Sequence, residues 1–457
     1  MLNPLARLIS DIDSIVWGGP LIIILVGTGL YLTFRLGFVQ LLGIKHGLQV
    51  LSGKYDNQQD PGEISHFQAL ATALSATIGT GNIIGVAAAI LVGGPGAVFW
   101  MWVTAFVGMA TKYAGCTLAV HFRRIGDDGQ IHAGPMHYIE LGLGPHLKWL
   151  AIMFAVFAVL ASFGIGNMFQ VNNIASAMSV LVYGSGAEVT RNFGLNVGLI
   201  IAFFVALVIL GGIKRIAMVA SSLVPFMCFF YISTGLIILC KNYTLIPHGF
   251  EMIFTQAFSA PEAVAGGLLG GVIRSGVARG LFSNEAGLGS AEIAHGAAKT
   301  HEAVREGLVA MLGPFIDTII ICTVTALVII CTGAYETEAH KGLLTITAFN
   351  QGLPGSGIMV SISIVLFAFS TLIAWSYYGD RAVDYLFGQK AVVPYRLVYI
   401  VFIVVGSVNS LDSVINFSDA MNGLMAFPNL IALIILAPLV GRLTKDYFAR
   451  LKHQTQK

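Results

Sequence analysis

Two glycine-rich stretches decide how this chain folds: ALSATIGTGNIIGVAAA at residues 73–89 and GVARGLFSNEAGLGSAEIA at residues 276–294. Each lies in an apolar run and places clustered glycines beside Asn, Ser or Thr near the middle of that run. Glycine in a helix interior costs about 1 kcal/mol relative to alanine, and in lipid the freed backbone groups need other partners. The sequence therefore predicts two helices that are interrupted at mid-length.

The composition is that of a protein surrounded by lipid. Of the 457 residues, 56% are hydrophobic and only 11% are charged, whereas an ordinary soluble domain has about 25% charged residues. Such a chain could not cover a water-facing surface. The net charge of +2 and the absence of a basic stripe interleaved with aromatic residues give no reason to expect a nucleic-acid partner.

About eleven apolar runs are long enough to cross a bilayer, since a spanning helix needs about 20 mostly apolar residues. The seventh run is the weakest, because it contains Arg274, Arg279 and Glu285. The predicted fold class is an all-α integral membrane protein. The runs are residues 18–36, 69–92, 95–122, 149–179, 195–212, 216–240, 263–295, 308–332, 357–378, 393–411 and 414–440.

The basic residues predict the orientation. Of the 25 Lys and Arg residues, 18 fall on one side of this arrangement, 4 on the other and 3 within the runs. Cytoplasmic loops carry the excess of Lys and Arg. We therefore expect a multi-pass protein of a bacterial plasma (inner) membrane, with its C-terminus in the cytoplasm and, because the span count is odd, its N-terminus outside.

Ten of the spans divide into two units of five helices, and each interrupted stretch begins one unit. Because five is odd, the second unit is inverted relative to the first. The N-terminal part adds one spanning helix and an amphipathic helix at the membrane surface, from Phe38 to Lys54. The predicted divisions are the N-terminal part at 1–67, the first unit at 68–240, an extracellular connection at 241–262, the second unit at 263–440 and a cytoplasmic tail at 441–457.

Interruptions at matching positions of two inverted halves indicate a transporter binding site. A broken helix offers free N–H groups at one half-helix end and free C=O groups at the other. The free N–H groups favour a carboxylate, and the free C=O groups favour a cation or an ammonium group. A zwitterionic amino acid with Na⁺ therefore satisfies both half-helix ends. The alternative is that the glycines only permit close helix packing, as a Gly81-x-x-x-Gly85 pair would.

The residues around both breaks resemble the sodium:alanine symporter family, also called the alanine/glycine:cation symporters. The resemblance covers essentially the whole chain, in order. It implies the leucine-transporter type of fold with an extra N-terminal helix, and Na⁺-coupled symport of small neutral amino acids into the cell by alternating access. Alanine and glycine are the usual substrates of the family, and glutamine is a variation. The segments that carry the resemblance are TGNIIGVAAAILVGGPGAVFWMW at 80–102, ARGLFSNEAGLGSA at 278–291 and FAFSTLIAWSYYGDRA at 367–382.

The resemblance also implies a set of substrate-binding residues. In the first break the backbone meets the substrate carboxylate, and in the second the segment that includes Phe282 meets the amino group, with the Phe282 ring covering the substrate from outside. Trp375 would wall the side-chain pocket. Gln170 is either a substrate contact or a helix-to-helix hydrogen bond. The expected substrate-binding residues are Gly79, Thr80, Gly81, Asn82, Gln170, Phe282, Ser283, Asn284 and Trp375.

Ion sites are implied in the same way. The hydroxyls of Ser370 and Thr371 match ligands of a shared sodium site, whose other ligands are backbone carbonyls near Ser75 and Ile78. A second ion site is expected at Asn82, Ser283 and Asp317, although Asp317 could instead be the buried partner of an arginine. The arginine that usually follows the first break is Gly85 here, so Arg274 or Arg279 with Asp419 is the expected extracellular gate.

Several alternatives remain at this stage. The coupling ion could be H⁺ instead of Na⁺, with Glu285 or Asp317 as the titrating group, whereas Glu285 could simply cap the next half-helix. An enzyme is not expected, because the sequence has no HExxH or GxSxG motif. A channel would need a continuous polar path, but the polar groups cluster at two breaks. The sequence does not indicate the oligomeric state; the other expected partner is membrane lipid.

Overall fold

The computed structural model describes residues 17, 19–126, 129–184, 189–258, 268–336, 343–409 and 411–455. Within those ranges, the side chains of 268–270, 411–417 and 454–455 are excluded. Parts of the predicted N-terminal region, of the extracellular connection, of the seventh apolar run and of the tail therefore lie outside the described residues.

In the N-terminal part, the described residues form one apolar helix followed by two short ones. Helix α1 is 17 residues long, and α2 and α3 lie where the amphipathic surface helix was predicted. Helix α3 packs on the protein, since a Cβ at Gly47 would lie 2.6 Å from the Leu308 carbonyl oxygen. The bounds are α1 Gly19–Arg35, α2 Val39–Leu42 and α3 Ile44–Leu51.

The next group of helices starts with the first glycine-rich stretch. Helix α4 begins with a capping box in which Ser65 and Gln68 satisfy each other's backbone N–H groups. A two-stranded hairpin, β1 Arg124–Ile125 and β2 Ile131–His132, connects α6 to α7. The helices are α4 His66–Thr77, α5 Ile84–Gly93, α6 Ala97–His121, α7 Pro135–Leu143, α8 Lys148–Phe163, α9 Phe169–Tyr183, α10 Arg191–Ile209, α11 Gly212–Lys241 and α12 Ile246–Gln256.

The last group starts with the second glycine-rich stretch. It contains the long helix α19, which carries both predicted sodium ligands and Trp375. Its helices are α13 Leu268–Asn284, α14 Ala291–His295, α15 Ala303–Ala310, α16 Leu312–Pro314, α17 Thr323–Cys331, α18 Leu344–Gly352, α19 Ser356–Phe387, α20 Val392–Val408 and α21 Leu411–Thr455.

Two π-helical segments interrupt longer helices. Gly164–Met168 lies between α8 and α9, and Phe315–Cys322 lies between α16 and α17. Such widened turns leave backbone carbonyls without their usual helical partners and often occur at functional sites. Here the first of them accepts a hydrogen bond from Gln170 and the second carries Asp317.

The lengths and composition of the helices are those of a multi-pass membrane protein. Within the described residues, eight helical segments are long and apolar enough to span a membrane, and the bent pair α4 and α5 makes a ninth. Helix α1 and the second glycine-rich stretch coincide with the two remaining predicted runs, but their described helices are too short or too polar to count as membrane spans. The number of eleven spans therefore stays a prediction. Large apolar side chains on the outer faces of α10 and α11, such as Phe203 and Phe229, are exposed, as expected of a lipid-facing surface.

The two interrupted helices lie at the centre of the bundle. Helix α4 packs against α11 and α19, and α13 packs against α5 and α6. Most of their residues are buried. This arrangement brings the two breaks, the middle of α19 and the π-helical segment after α8 to one place.

Candidate functional site

The first break separates α4 from α5 at Ile78 and Gly79. Ile78 leaves the helical conformation with a ψ of 90°, and the axis of the helix bends by 62° between the two halves. Asn82 closes the turn by accepting a hydrogen bond from the Gly79 N–H at 2.9 Å. A Cβ at Gly79 would lie 3.0 Å from the Thr371 hydroxyl oxygen, so the glycine lets α19 approach the break.

The second break runs from Glu285 to Ser290, between α13 and α14. Glu285, Gly287 and Gly289 all have positive φ angles, of 52°, 90° and 93°. For Glu285 this is an uncommon conformation, since a side chain is crowded there. Its carboxylate accepts a hydrogen bond from the Ser290 hydroxyl at 2.6 Å, and Ser290 directly precedes α14. Glu285 thus ties the break together through Ser290, as a cap of the next half-helix would.

The two breaks touch each other. A Cβ at Gly81 would lie 3.4 Å from the Cα atom of Ser283 and 3.5 Å from the Phe282 ring. Both helices therefore present their interrupted backbone to the same point. A Cβ at position 81 would itself be in van der Waals contact with the backbone of α13, so the two breaks pack directly against each other.

A small closed cavity lies where the breaks meet. It is about 10 Å³ in volume. Three lining side chains have a buried polar atom without a hydrogen-bond partner in the described part of the chain: Thr80 Oγ1, Gln170 Oε1 and Trp375 Nε1. Because buried polar groups are normally paired, these atoms mark the wall that a polar ligand would contact. The lining residues are Ala76, Thr77, Gly79, Thr80, Gly81, Ile165, Gln170, Phe282, Glu285, Thr371 and Trp375.

Six of the nine predicted substrate-binding residues line this cavity, and three do not. Asn82, Ser283 and Asn284 lie at the breaks, but their side chains bond to the helix that carries Asp317 or to the break itself. The Nε2 atom of Gln170 donates to the Ile165 carbonyl at 3.0 Å, which leaves its oxygen at the cavity.

The ring of Phe282 separates the cavity from an outer vestibule. The vestibule has a volume of about 480 Å³ and is lined by Arg274, Arg279, Phe282 and Asp419, among others. The arginines and Asp419 that were predicted as a gate therefore surround one space. The structure also places Trp17 there, where its Nε1 donates to the Asp419 carbonyl oxygen at 2.8 Å.

The predicted sodium ligands meet between α4 and α19. The carbonyl oxygen of Ser75 accepts hydrogen bonds from the hydroxyls of Ser370, at 3.2 Å, and Thr371, at 3.1 Å. The Ser75 hydroxyl in turn donates to the Ser370 carbonyl at 2.8 Å. Ile78 ends α4 one turn farther on. The hydroxyl and carbonyl oxygens at this place are the type of ligand that hard cations prefer. Ser75, Ile78, Ser370 and Thr371 are all buried.

The residues of the predicted second ion site also come together. Asn82 Nδ2 donates to Asp317 Oδ1 at 2.6 Å, and the Ser283 hydroxyl donates to Asp317 Oδ2 at 2.8 Å. Thr318 adds a third donor at 2.7 Å. The predicted alternative, a buried arginine partner for Asp317, does not occur within the described side chains. The carboxylate is instead held by neutral donors.

A compact cluster closes the opposite side of the bundle from the vestibule. The guanidinium of Arg123 donates to four carbonyl oxygens, those of Pro61, Gly296, Ala298 and Thr300, at 2.5 to 3.1 Å. Ile64 pairs with Ala298 in a parallel β-bridge. These contacts join the start of α4 to the end of α14.

A buried carboxylate strengthens this closure. Glu306 of α15 bonds to the Nδ1 atoms of His66 of α4 and of His295 of α14, the latter at 2.5 Å. All three residues are buried. Sequence reasoning missed this cluster. Charged residues directly beside both interrupted helices were the available signal, but nothing in their spacing indicated that they meet.

Two interrupted helices that meet around a closed cavity, with a vestibule on one side and a closure on the other, define a secondary transporter. The fold is shared with a solved structure: the crystal structure of MhsT in complex with L-phenylalanine superimposes with a TM-score of 0.57 at 13% identity, covering 84% of this chain and 98% of that one. The predicted fold class is thereby confirmed.

The chain belongs to the sodium:alanine symporter family, whose sequence profile matches residues 3–457. It is 46% identical to the sodium/alanine symporter AgcS of Methanococcus maripaludis over 449 residues, which cover 96% of each chain. It is 36% identical to the probable sodium/glutamine symporter GlnT of Bacillus subtilis, over 98% of this chain and 91% of that one. The family predicted from the sequence is confirmed, and with it a multi-pass membrane transporter of amino acids.

Proposed function

We propose that this protein carries alanine or glycine into the cell together with Na⁺, by alternating access. The closed cavity at the meeting point of the two breaks supports this proposal most directly. It combines interrupted backbone with polar side-chain atoms that have no partner among the described residues. Its volume of about 10 Å³ is about that of one water molecule, so the cavity must widen to admit even a small amino acid.

The substrate carboxylate is assigned to the first break. Thr80 and Gly81 begin a 3₁₀ helix, and the first N–H groups of a helix have no partner within it. Such N–H groups, at the positive end of a helix dipole, favour an anion. The Thr80 hydroxyl adds a donor on the same wall.

The amino group is assigned to the opposite wall. Glu285 lines the cavity, and the Gln170 amide oxygen is an unpaired acceptor there. In this proposal Asn82, Ser283 and Asn284 do not contact the ligand. Their hydrogen bonds fix the positions of the two breaks and of Asp317. Phe282 covers the ligand from the vestibule side and Trp375 limits its side chain.

The proposed Na⁺ site is formed by Ser75, Ile78, Ser370 and Thr371. Thr371 lines the substrate cavity as well, so the ion and the substrate share one wall. This sharing gives a physical reason for coupling, because an ion that orders Thr371 and the first break also orders the substrate site. We assign a second cation to Asp317 with Asn82 and Ser283, where the hydrogen bonds of a buried carboxylate come from neutral donors and Lys112 is the nearby positive charge among the described residues.

The distribution of Lys and Arg supports a cytoplasmic C-terminus and an extracellular N-terminus in a bacterial inner membrane. In this orientation the vestibule opens to the outside and the Arg123 cluster closes the cytoplasmic side. The division into two inverted five-helix units, at 68–240 and 263–440, is part of the same proposal.

Uptake of radiolabelled amino acid by proteoliposomes tests the proposal. We expect an inward Na⁺ gradient with a negative interior to drive uphill alanine or glycine uptake, because 100 mV supplies about 2.3 kcal/mol per charge and a tenfold gradient about 1.4 kcal/mol more. Uptake that persists when choline replaces Na⁺, but follows a pH gradient, would establish H⁺ as the coupling ion. Preferential uptake of glutamine over alanine would assign the substrate differently.

A further inference from the structure

Glu292, in the first turn of α14, is a buried acid that approaches two neutral donors, its own backbone N–H and the side chain of Asn429, without a hydrogen bond of normal length and angle to either. The residue is 1% exposed, and neither of its carboxyl oxygens has a partner among the described residues. Its carboxyl lies directly against the backbone of α6, since a Cβ at Gly115 would fall 2.2 Å from Oε1. By contrast, the buried acids Asp317, Glu285 and Glu306 each have hydrogen-bond partners.

The polar groups near Glu292 are either bonded elsewhere or unpaired themselves. The Tyr138 hydroxyl of α7 donates to Asn429 of α21, and Asn429 donates to the Gly287 carbonyl oxygen at 2.9 Å. The Tyr378 hydroxyl of α19 is buried without a partner in the described residues.

The charged and titratable groups that face Glu292 come from every helix around it. They are one thiol, two tyrosine hydroxyls, one lysine, one carboxyl at the preceding break and the three residues of the closure cluster. These groups are Lys112 and Cys116 of α6, Tyr138 of α7, Tyr378 of α19, Glu285 at the preceding break and, toward the cytoplasmic side, His66 of α4, His295 of α14 and Glu306 of α15.

An ionised carboxylate in this place would lack water and would have only weak contacts with the two neutral donors. Burying such a charge is far more costly than burying the neutral acid, and a group in this situation takes up a proton instead. We propose that Glu292 is a proton-binding site, which holds one proton while the cytoplasmic side is closed and releases it to the cytoplasm when α4 and α14 separate. On release the proton passes from the carboxyl oxygen to water, and the carboxylate that remains is stabilised by water and by Lys112.

This inference rests on the proposed alternating access, because it needs a state in which the Arg123 cluster is open. Since the closed state then binds one proton more than the open state, acid in the cytoplasm favours the closed state. The equilibrium constant for opening changes by up to tenfold per pH unit. Glu292 would thus connect internal acidity to substrate release without contacting the substrate.

Infrared spectroscopy of the purified protein in lipid tests the proton directly. At pH 6 we expect the wild type minus Glu292→Gln difference spectrum to contain the carbonyl stretch of a protonated carboxylic acid, and Glu292→Asp to shift that band. Glu251→Gln, at an exposed acid on α12, is the matched control and should remove only the bands of an ionised carboxylate. A difference spectrum for Glu292→Gln that shows loss of an ionised carboxylate overturns the proposal. If Glu292→Gln fails to fold, an unshifted acid band in Glu292→Asp has the same consequence.

Transport at different internal pH values provides the second readout. We expect exchange in proteoliposomes to rise with internal pH in the wild type, by up to tenfold per unit, and to be independent of internal pH in Glu292→Gln. An unchanged pH dependence in Glu292→Gln contradicts the proposal. A changed Na⁺ requirement in this variant, together with no acid band in the spectrum, also contradicts it, because that combination would indicate that Glu292 binds a metal cation. The spectrum does not depend on the transported substrate, so failure of Na⁺-driven uptake with an intact acid band would count against the proposed function alone.

Discussion

The guanidinium of Arg279 lies 5.7 Å from the centre of the Phe282 ring, one turn away on α13. Phe282 is the residue that lines both the closed cavity and the outer vestibule. A cation held over this ring therefore stabilises the position in which the cavity is covered.

Replacing Arg279 with Ala is predicted to weaken substrate binding by about two- to fivefold. A cation–π contact at a partly exposed site contributes about 0.5–1 kcal/mol, and its loss lets the ring leave the cavity more often. Equilibrium binding of labelled alanine to purified protein measures this effect. Arg279→Lys should restore part of it, and Arg191→Ala, at an exposed arginine on α10, should have none. Equal binding by Arg279→Ala and the wild type would show that the ring is held by packing alone.

The double substitution Ser370→Ala with Thr371→Ala is predicted to raise the Na⁺ concentration for half-maximal uptake at least tenfold. It removes two oxygen ligands from a cation that has left water. Na⁺ titration of alanine uptake measures the change. The control is Ser376→Ala on the same helix, because the Ser376 hydroxyl is already bonded to the Ile373 carbonyl oxygen at 2.7 Å. A well-folded double variant with normal Na⁺ dependence would move the ion elsewhere.

Trp375→Ala is predicted to shift selectivity toward larger neutral amino acids by roughly ten- to a hundredfold. The substitution opens apolar volume, and such pockets discriminate by about 1–3 kcal/mol per methylene-sized change. Competition of alanine uptake by glycine, alanine, valine, leucine and glutamine measures the ranking. Trp149→Ala, at an exposed tryptophan on α8, is the control. The same ranking in Trp375→Ala and the wild type would exclude Trp375 from the substrate pocket.

His137 of α7 is predicted to make the protein less stable in mild acid. Burial lowers the pKa of His137 from 6.5 to about 4, with smaller effects from His132 and Arg124. Between these two values the unfolded chain binds a proton that the folded one does not, so stability falls as pH falls below 6.5, by about 2 kcal/mol at pH 5. Thermal unfolding between pH 7.5 and 5 measures the loss.

Two substitutions separate His137 from the other histidines. His137→Gln should be less acid-sensitive than the wild type, whereas His248→Gln, at an exposed histidine on α12, should behave like the wild type. An identical pH profile in His137→Gln would assign the acid sensitivity to other groups.

Arg123→Ala is predicted to shift the protein toward its cytoplasm-open state by more than tenfold. The change removes a charged donor from four carbonyl oxygens, and hydrogen bonds to a charged group contribute about 1.5–3 kcal/mol each. Labelling of Ala76→Cys by an impermeant maleimide in inside-out vesicles measures exposure of the cavity. Arg442→Ala, at an exposed arginine on α21, is the control. Slow labelling in both variants would mean that Arg123 does not maintain the closure.

The sequence was informative wherever a feature depends on local chemistry. Glycine clusters located both breaks, because glycine combines helix interruption with close approach, as Gly79 illustrates beside Thr371. Nine of the predicted apolar runs coincide with described helices or helix pairs that are long and apolar enough to span a membrane, since the length of a span is set by the bilayer. Family resemblance supplied the pairing of Ser75 with Ser370 and Thr371, which no spacing along the chain could give.

Features that depend on packing between distant helices were beyond the sequence. The π-helical turns that expose the Ile165 carbonyl and displace Asp317 have no distinctive composition. The direction of the Asn82 and Ser283 side chains, toward Asp317, follows from how α13 packs. The isolation of Glu292 also depends on α6, whose Gly115 admits the carboxyl without offering a donor.

The closure on the side opposite the vestibule is made mainly of main-chain atoms. Arg123 donates to four backbone carbonyls, and the Lys299 N–H donates to the Ile64 carbonyl oxygen at 2.7 Å. Peptide groups are the same for nearly every amino acid. Position 299, the one partly exposed residue of the segment from 297 to 300, is thus free to vary in side chain over evolutionary time, whereas Ala297, Ala298 and Thr300 are buried and restricted by packing. Proline is the exception at 299, because it has no N–H to donate, and an engineer who wishes to redesign this position should avoid it.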